Sequence, residues 1–315
     1  MPRGVKADAK KSMAKKVIAA IDAGKFNTKA ISAKGKKLFR TKYSFEHSDP
    51  DTLTEGNFNV TYKDMDYTVG SQGAYSDKNE GKDSTLHIMV TLIALSQLTD
   101  EGDEIVLMYG ESFNKYANHH HKRNLEEIYL GEHHITIDGK EYTLNIVEVH
   151  VLPEGVGYIL SDIQNYLGIQ YTVDWGGTTV NFLKTVNGAP DRDFSTSFKL
   201  GMHNMASNIS KTLAKRIGDY EEDLIQDWIE TKAPTEDIQK VIDRAIAEQL
   251  LKIENKLAPM GINLYELPQV TFVGGTSEKF REMILKKYKG STVHRDCLFS
   301  TAQGMYDFGR IKYLG

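Results

Sequence analysis

Apolar segments alternate with polar turns along this chain in the manner of mixed α/β layers. Residues 17–21 form a short apolar run that predicts a buried strand, and residues 28–32 predict the strand that returns beside it. A longer apolar run at 84–98 predicts a buried helix. The intervening region, 40–83, is polar and rich in Asp, Asn, Gly and Tyr, which predicts a small peripheral subdomain.

The middle of the chain predicts a β-hairpin that leads to an acidic residue. Residues 104–109 predict a strand, and apolar residues then alternate over 134–146 around an Asp-Gly turn. The second strand continues to Pro153, where the ladder is expected to end because proline cannot donate a backbone hydrogen bond. A helix is predicted after Glu154 and Gly155, to about residue 167, so Glu154 lies at a strand-to-helix junction.

The second half of the chain repeats this order of strands, a glycine turn and helices. Strands predicted at 169–174 and 178–185 flank a glycine turn, and the pattern over about 202–258 is helical. Residues 270–273 then predict a returning strand, which a helix to about residue 289 follows. Two half-molecules, each an α/β core that carries an insertion, would face each other across a cleft.

Two loops that join an aspartate to glycine carry the first chemical hypothesis. Asp22 precedes Gly24 between the first two predicted strands, and Asp174 precedes Gly176 and Gly177 in the second half. Glycine lets a tight turn aim backbone N–H groups at a polyphosphate, and a nearby carboxylate suits hydrated Mg²⁺. The two loops together therefore suggest a phosphate clamp. Each loop taken alone is more typical of an ordinary hairpin turn, so that alternative stays open.

Composition limits the class of protein. A length of 315 residues is about two domains by the usual prior, and 40% apolar with 26% charged residues is typical of a soluble globular chain. The longest apolar stretch, 86–98, is too short to span a bilayer. Cys297 is the single cysteine, which excludes an internal disulfide and fits a reducing cytoplasm. Residues 1–16 hold six basic residues against one aspartate and no apolar signal segment, so a flexible basic tail is expected there.

Other nucleotide and metal motifs are weak or missing in the sequence. The consecutive residues His119, His120 and His121 cannot share one face of a helix or strand, which favours a solvated polar loop over a metal site. The sequence contains neither a G-x-x-x-x-G-K-[ST] loop nor a G-x-G-x-x-G turn, so the P-loop and Rossmann modes of nucleotide binding are unsupported. Aromatic and basic residues do not interleave as on a nucleic-acid-binding platform.

The order of these motifs resembles that of one superfamily. A strand–Asp-x-Gly–strand unit, the Pro153-Glu154 junction, a second loop reading Asp-x-Gly-Gly-Thr-Thr and a late Val-Gly-Gly-Thr segment resemble the actin and sugar-kinase ATPases. The resemblance is strongest to the plasmid-segregating actin-like ATPases of the ParM type. The segment 303–309, QGMYDFG, is similar to the N-G-M-Y-x-x-G ending of that family. The resemblance covers the chain from about residue 17.

The resemblance implies the fold and its boundaries. It predicts an α/β protein with an actin-like fold, in which two α/β domains enclose a nucleotide cleft and each carries a smaller inserted subdomain. Domain I would span 17–160, with its peripheral subdomain at about 40–83, and 300–315 would complete it. Domain II would span 161–299, with a helical subdomain at about 202–258.

The resemblance also implies roles for individual residues. Asp22 and Asp174 correspond to the aspartates that approach a hydrated Mg²⁺ from the two loops, and Glu154 to the residue that orients the attacking water. Lys29 matches the lysine that reaches the β- and γ-phosphates. Lys25 occupies a position where relatives often carry a small hydroxyl residue, so its contribution to phosphate binding is left open. The other residues implied to contact the nucleotide are Gly24, Asn27, Gly176, Gly177, Thr178, Gly201, Gly274, Gly275 and Thr276.

The implied function is a filament-forming ATPase that segregates plasmid DNA, with ATP or GTP and Mg²⁺ as its ligands. Its partners would be further copies of itself, stacked head to tail, and a DNA-bound adaptor protein at a centromere-like plasmid site. No membrane contact and no direct DNA binding are required, and the protein would be cytoplasmic. The alternatives left open are a sugar or acetate kinase of the same superfamily, a heat-shock-type chaperone and a cell-shape filament protein.

Overall fold

Two β-sheets organise the part of the chain that the computed structural model describes, residues 15–75 and 81–314. Almost all of the basic tail expected at 1–16 lies outside the described residues. Within these two ranges, no helix combines the length and the apolar character that crossing a membrane would need.

The first sheet contains ten strands within the described residues. In chain order they are β1 (Lys16–Ala23), β2 (Asn27–Ser32), β3 (Gly35–Arg40), β4 (Lys42–Phe45), β5 (Phe58–Tyr62), β6 (Met65–Gly70), β7 (Ala74–Tyr75), β8 (Glu104–Glu111), β9 (Gly131–Ile137) and β10 (Lys140–Pro153). The helices of this half are α1 (Thr85–Leu98), α2 (Phe113–Tyr116), α3 (His119–Tyr129) and a 3₁₀ turn, Pro50–Thr52.

The second sheet is smaller and carries more helices. Its strands are β11 (Ile169–Trp175), β12 (Val180–Val186), β13 (Ala189–Pro190), β14 (Thr196–Phe198), β15 (Val270–Val273) and β16 (Ser291–Val293). The helices that follow β10 in the chain are α4 (Gly157–Ser161), α5 (Met202–Ala214), α6 (Glu222–Glu230), α7 (Glu236–Leu257), α8 (Gly275–Lys279) and α9 (Arg281–Lys287), with 3₁₀ turns at Ile163–Tyr166 and Ala258–Met260. The last helix, α10 (Ser300–Leu314), packs on the first sheet.

Both sheets are built around the same unit, a hairpin whose first strand also has a parallel neighbour. β1 lies between its antiparallel partner β2 and the parallel strand β8, and β8 in turn pairs in parallel with β10. In the second sheet, β11 lies between its antiparallel partner β12 and the parallel strand β15. The carboxyl ends of parallel neighbours meet at one edge of a sheet, which is where open α/β sheets bind ligands.

Strand β1 is buried on both faces. Ala19 and Ile21 pack into an apolar cluster that includes α1, whereas Ile18 and Ala20 pack on the opposite side against Met305 of α10. A strand covered on both faces needs apolar side chains at successive positions, which explains the unbroken apolar run near the start of the sequence. Because both faces are packed, β1 holds its carboxyl end in a fixed place.

The region predicted as a peripheral subdomain continues the first sheet. Strand β5 pairs with β9 through Val60 and Ile137, so the strands from β4 to β7 extend one edge of that sheet. The helix predicted after Gly155 and up to about residue 167 is shorter than expected. It begins at Gly157 but ends at Ser161, because Asp162 has a φ of −152° and a ψ of 59°, outside the helical region, and a 3₁₀ turn follows at Ile163–Tyr166.

Gly304 allows the backbone of α10 to touch the backbone of α4. A Cβ atom at this position would lie 1.6 Å from the carbonyl oxygen of Gly157, so the two helices would have to separate. We expect Gly304→Ala to lower the free energy of unfolding by about 2–3 kcal/mol, measured by urea denaturation. Gly218→Ala is the matched control, since its Cβ would meet nothing closer than 3.7 Å from Tyr220. Equal losses in the two variants would contradict this account of the helix contact.

Candidate functional site

A cavity of about 600 Å³ lies between the edges of the two sheets. It is lined by the loop after β1, the loop after β11 and the segment after β15. Glu111 and Glu278 line it, and so do the three carboxylates that the sequence proposed: Asp22 at the end of β1, Glu154 directly after β10 and Asp174 near the end of β11. They converge because each follows or ends a strand whose carboxyl end faces the cavity. Asp22 and Asp174 are each only 7% exposed.

Lys29 is fixed opposite Asp22 by the register of the first hairpin. These two residues are direct cross-strand partners in β1 and β2, and the Lys29 Nζ donates to Asp22 Oδ2 at 3.0 Å. Burial by itself would raise the pKa of Asp22, but the ammonium groups of Lys29 and Lys82 outweigh it and hold that pKa below its ordinary value. Asp22 is therefore a stable anion.

Lys82 completes the charged cluster, and no signal in the sequence marks it. It lies three residues before α1 in a polar stretch, yet it is buried, with an exposed fraction of 7%. Its Nζ donates to Glu154 Oε1 at 2.6 Å, to the carbonyl oxygen of Gly110 at 2.7 Å and to Asp22 Oδ1 at 3.4 Å. Burial opposes the charged form, but Glu154 and then Asp22 outweigh it and raise the pKa of this ammonium.

Asn181 connects Glu154 to Asp174. Its Nδ2 donates to Glu154 Oε2 at 3.2 Å and to Asp174 Oδ2 at 3.4 Å, while its Oδ1 accepts from the backbone N–H of Phe113 at 3.1 Å. Asn181 is the cross-strand partner of Asp174 in the second hairpin, just as Lys29 is the partner of Asp22 in the first. The side chains thus form one chain of contacts from Lys29 to Asp174.

Asp174 lies in a region of excess negative charge. Burial raises its pKa first, the carboxylates of Glu154 and Asp22 raise it further, and together they bring it to about 7. Two buried carboxylates on opposite loops, with negative potential between them, suit a divalent cation such as Mg²⁺, which usually takes one or two carboxylates beside phosphate oxygens and water. Within residues 15–75 and 81–314, no group of three or more His, Cys, Asp or Glu residues could hold a metal ion by itself.

The loop after β11 is held by the first turn of α5. The backbone N–H of Met202 donates to the carbonyl of Gly176 at 3.2 Å, and that of His203 to the carbonyl of Gly177 at 2.8 Å. Gly201 lies behind the loop and does not line the cavity, since its N–H donates to the carbonyl of Thr178. Its predicted contact with a nucleotide stays a prediction.

Gly274 brings the end of β15 close to the carboxylate of Asp174. Its φ of 90° is in the left-handed region, and a Cβ atom there would lie 2.5 Å from Asp174 Oδ1. The next two residues, Gly275 and Thr276, begin α8, and Thr276 Oγ1 donates to the carbonyl of Gly176 at 3.1 Å. This hydrogen bond ties the late glycine segment to the second aspartate loop.

The first aspartate loop reaches across to the second. Lys25 and Asn27 line the cavity, and Phe26 between them lies against the glycine at 177, where a Cβ would approach the Phe26 Cβ to 2.8 Å. The Phe26 ring also meets the ring of His203 edge-on, with 5.5 Å between their centroids. The two loops are therefore in contact at one end of the cavity.

Comparisons of this chain with known protein families and solved structures identify its fold. Residues 20–157 match a family model described as the N-terminal domain of actin-like proteins. The archaeal actin homolog Ta0583 superposes with a TM-score of 0.77 at 17% identity, over 94% of this chain and 99% of the homolog. The fold is actin-like.

Structures of ParM and related proteins match in the same way. A 15-stranded ParM filament from Clostridium botulinum gives a TM-score of 0.77 at 18% identity, over 94% of this chain and 99% of that one. An Alp12 filament structure gives a TM-score of 0.65 at 21% identity, over 95% of this chain and 99% of the Alp12 chain. No curated protein matches the chain. The predicted fold class and the predicted resemblance to the ParM type are thus confirmed.

The actin-like fold gathers the predicted site residues with few exceptions. Apart from Gly201, every residue that the sequence proposed for catalysis, metal binding or nucleotide contact lines the one cavity described above. Their chemical roles stay predictions. The sequence did not identify Lys82 and Asn181, which bind the predicted carboxylates, nor Glu111, which also lines the cavity.

The histidine run of this actin-like chain is not the solvated loop that the sequence favoured. It begins α3, because the Asn118 side chain accepts from the backbone N–H groups of His120 and His121 and so caps the helix. The Nε2 of His121 lies 2.9 Å from Oε2 of the buried Glu111. This pair orients Glu111 at the end of β8.

Proposed function

We propose that this chain is a nucleotide-dependent, filament-forming ATPase that segregates plasmid DNA. The observation that carries the proposal is the cavity between two Asp-Gly loops, into which Asp22, Asp174 and Glu154 converge from the ends of three strands. A volume of about 600 Å³ is in the range of ordinary small-molecule sites. Ta0583, one of the structural relatives, has been crystallised with ADP, with a TM-score of 0.73 to this chain.

The charges in the cavity favour a polyphosphate. Lys29 and Lys82 offer two ammonium groups near the first loop, and Lys25 and Lys115 also line the cavity. The glycines of both loops let the backbone approach a ligand closely, and a nucleoside triphosphate needs backbone N–H donors at such a place. ATP or GTP both fit this description, since no residue is assigned to the base.

Asp22 and Asp174 are the residues that would hold Mg²⁺, through water as is usual for this ion. When bound, the ion would offset the negative charge of the phosphates and of the two carboxylates. The raised pKa of Asp174 supports this assignment, because burial and then the neighbouring carboxylates of Glu154 and Asp22 disfavour its anion, and a bound cation would offset both effects.

Glu154 would orient the water that hydrolyses the triphosphate. Its carboxylate can accept a hydrogen bond, and then a proton, from a water that attacks the γ-phosphorus while the bond from that phosphorus to the β-phosphate oxygen breaks. Lys82 and Asn181 each bind one oxygen of Glu154, so its orientation is fixed before the ligand arrives. The products are the nucleoside diphosphate and inorganic phosphate.

Filament formation is proposed from the assemblies of the structural relatives. The ParM and Alp12 structures that match this chain are filaments. A head-to-tail contact that does not close on itself produces a helical polymer of this kind. We infer that triphosphate bound between the two sheets favours a closed shape that assembles, and that hydrolysis weakens the contact. A DNA-bound adaptor would link the filament to the plasmid, so direct DNA binding by this chain is not needed.

Pelleting and light scattering of the purified protein test this proposal. We expect sedimentable polymer with ATP or GTP and Mg²⁺, polymer that persists with a non-hydrolysable analogue, and little polymer with ADP. Phosphate release without any added acceptor separates an ATPase from a small-molecule kinase. If none of these nucleotides gave polymer over a wide range of protein concentration, the filament proposal would be wrong.

A further inference from the structure

Lys82 is a buried cation whose three donors are all directed at acceptors on the strand ends beside the cavity. Glu154 Oε1, the carbonyl oxygen of Gly110 and Asp22 Oδ1 surround its Nζ at 2.6, 2.7 and 3.4 Å. The Tyr109 ring lies below it, with 5.5 Å between Nζ and the ring centroid. An ammonium group has three donors, so this geometry uses its full hydrogen-bonding capacity.

The contacts of Glu154 are divided between two partners on different parts of the fold, Lys82 in the turn before α1 and Asn181 on β12. Lys82 binds Oε1, and Asn181 of the second sheet binds Oε2 at 3.2 Å. A carboxylate held at both oxygens cannot rotate about its last side-chain bond without losing one of them. Removing Lys82 would free Oε1 and leave the carboxylates of Asp22, Glu154 and Asp174 near each other. Of the lysines in the described part of the chain that pair with Asp22, Lys29 would remain.

We propose that Lys82 is a positioning residue for hydrolysis: it holds Glu154 in the orientation from which that carboxylate directs the attacking water. This inference rests on the proposed function. Lys82 acts through Glu154, and its share of the rate therefore disappears when Glu154 can no longer act as a base. Lys29 differs in this respect, because its ammonium pairs with Asp22 and not with Glu154.

A double-mutant cycle on the full-length protein tests this coupling. Lys82→Met, Glu154→Gln and the double variant are compared by phosphate release at saturating ATP and Mg²⁺. We expect Lys82→Met to lower kcat about 10²-fold and the double variant to be no slower than Glu154→Gln alone. Lys82→Arg retains the charge and is expected to recover at least about tenfold of the loss. Lys184→Met is the control, since Lys184 is a half-buried lysine paired with Asp191 outside the cavity.

A binding measurement accompanies the rates, with a fluorescent ADP analogue and Mg²⁺ as the probe. We expect Lys82→Met to change the affinity less than tenfold. A hundredfold weaker affinity with unchanged kcat would assign Lys82 to phosphate binding and overturn the proposal. The proposal would also be overturned if the kcat of the double variant were lower than that of Glu154→Gln by the same factor by which Lys82→Met lowers the wild-type kcat. If Lys82→Met does not fold, Lys82→Arg and its double variant with Glu154→Gln decide the coupling.

The outcomes separate this inference from the function on which it rests. A wild-type protein that neither binds the fluorescent ADP nor releases phosphate would overturn both. A wild-type protein that releases phosphate while the effects of Lys82 and Glu154 multiply independently would overturn the positioning role alone.

Discussion

Glu154→Gln is expected to slow hydrolysis of the bound triphosphate by about 10²–10⁴-fold, with nucleotide binding and assembly largely preserved. Glutamine has nearly the shape of glutamate, and its amide oxygen can still accept from Lys82. It cannot take a proton from water, so the chemical step loses its base. Phosphate release in a single turnover measures the rate, and pelleting with ATP measures assembly.

Among the glutamates on β10 and directly after it, the loss of hydrolysis is expected only at Glu154, which lies beside the cavity. Glu141→Gln is the control, because Glu141 lies on the same strand, β10, and is exposed to solvent. That variant is expected to hydrolyse at the wild-type rate. Filaments of Glu154→Gln should outlast wild-type filaments after ATP is added, since hydrolysis is proposed to weaken them. Loss of nucleotide binding in Glu154→Gln, with the rate at saturation unchanged, would remove Glu154 from the water-orienting role.

The strands that carry the site could be predicted from the sequence because local residue patterns determine them. Unbroken apolar runs precede Asp22 and Asp174, and glycine follows each aspartate, so both hairpins and both loops are evident in the sequence. The spacing within each hairpin also explains the partner of each aspartate. Lys29 and Asn181 each lie seven residues after the aspartate of their loop, and the hairpin register places each of them directly opposite it. The family resemblance marks Lys29, whereas no motif in the sequence marks Asn181, although the same geometry places it.

Lys82 could not be predicted because its burial is a property of the tertiary fold. The residue belongs to a polar stretch before α1, where a lysine is ordinarily solvated. It becomes buried only because the ends of β1, β8 and β10 meet around it and supply Asp22, the Gly110 carbonyl and Glu154. The early end of the helix after Gly155 has a local cause, since the backbone of Asp162 leaves the helical region and no residue pattern there marks a helix end.

Asp174→Asn is expected to raise thermal stability at pH 8 while it removes most hydrolysis. The pKa of Asp174 is raised to about 7 in the folded protein, whereas the unfolded chain should have a value near 3.9. At pH 8 the folded protein therefore holds an anion that its buried surroundings disfavour, at a cost on the order of 1.4 kcal/mol per pKa unit. A neutral amide of similar shape avoids this cost. With Mg²⁺ and nucleotide removed by EDTA and dialysis, we expect Tm to rise by about 4 °C or more.

The pH dependence of this gain distinguishes electrostatic relief from better packing. Between about pH 4 and pH 7, the folded protein keeps the proton of Asp174 while the unfolded chain releases it, so the stability of the wild type falls as pH rises through this interval. The advantage of Asp174→Asn should accordingly be largest at pH 8 and clearly smaller at pH 5. Asp191→Asn is the control, because the pKa of Asp191 is shifted in the opposite direction: a hydrogen bond from Lys184 lowers it. No gain in stability is therefore expected from Asp191→Asn at either pH. Equal gains at pH 5 and pH 8 would show that charge is not the cause, and a loss at pH 8 would contradict the raised pKa. A confirmed gain would mean that the protein keeps a destabilising carboxylate at this position because its proposed reaction needs the negative charge.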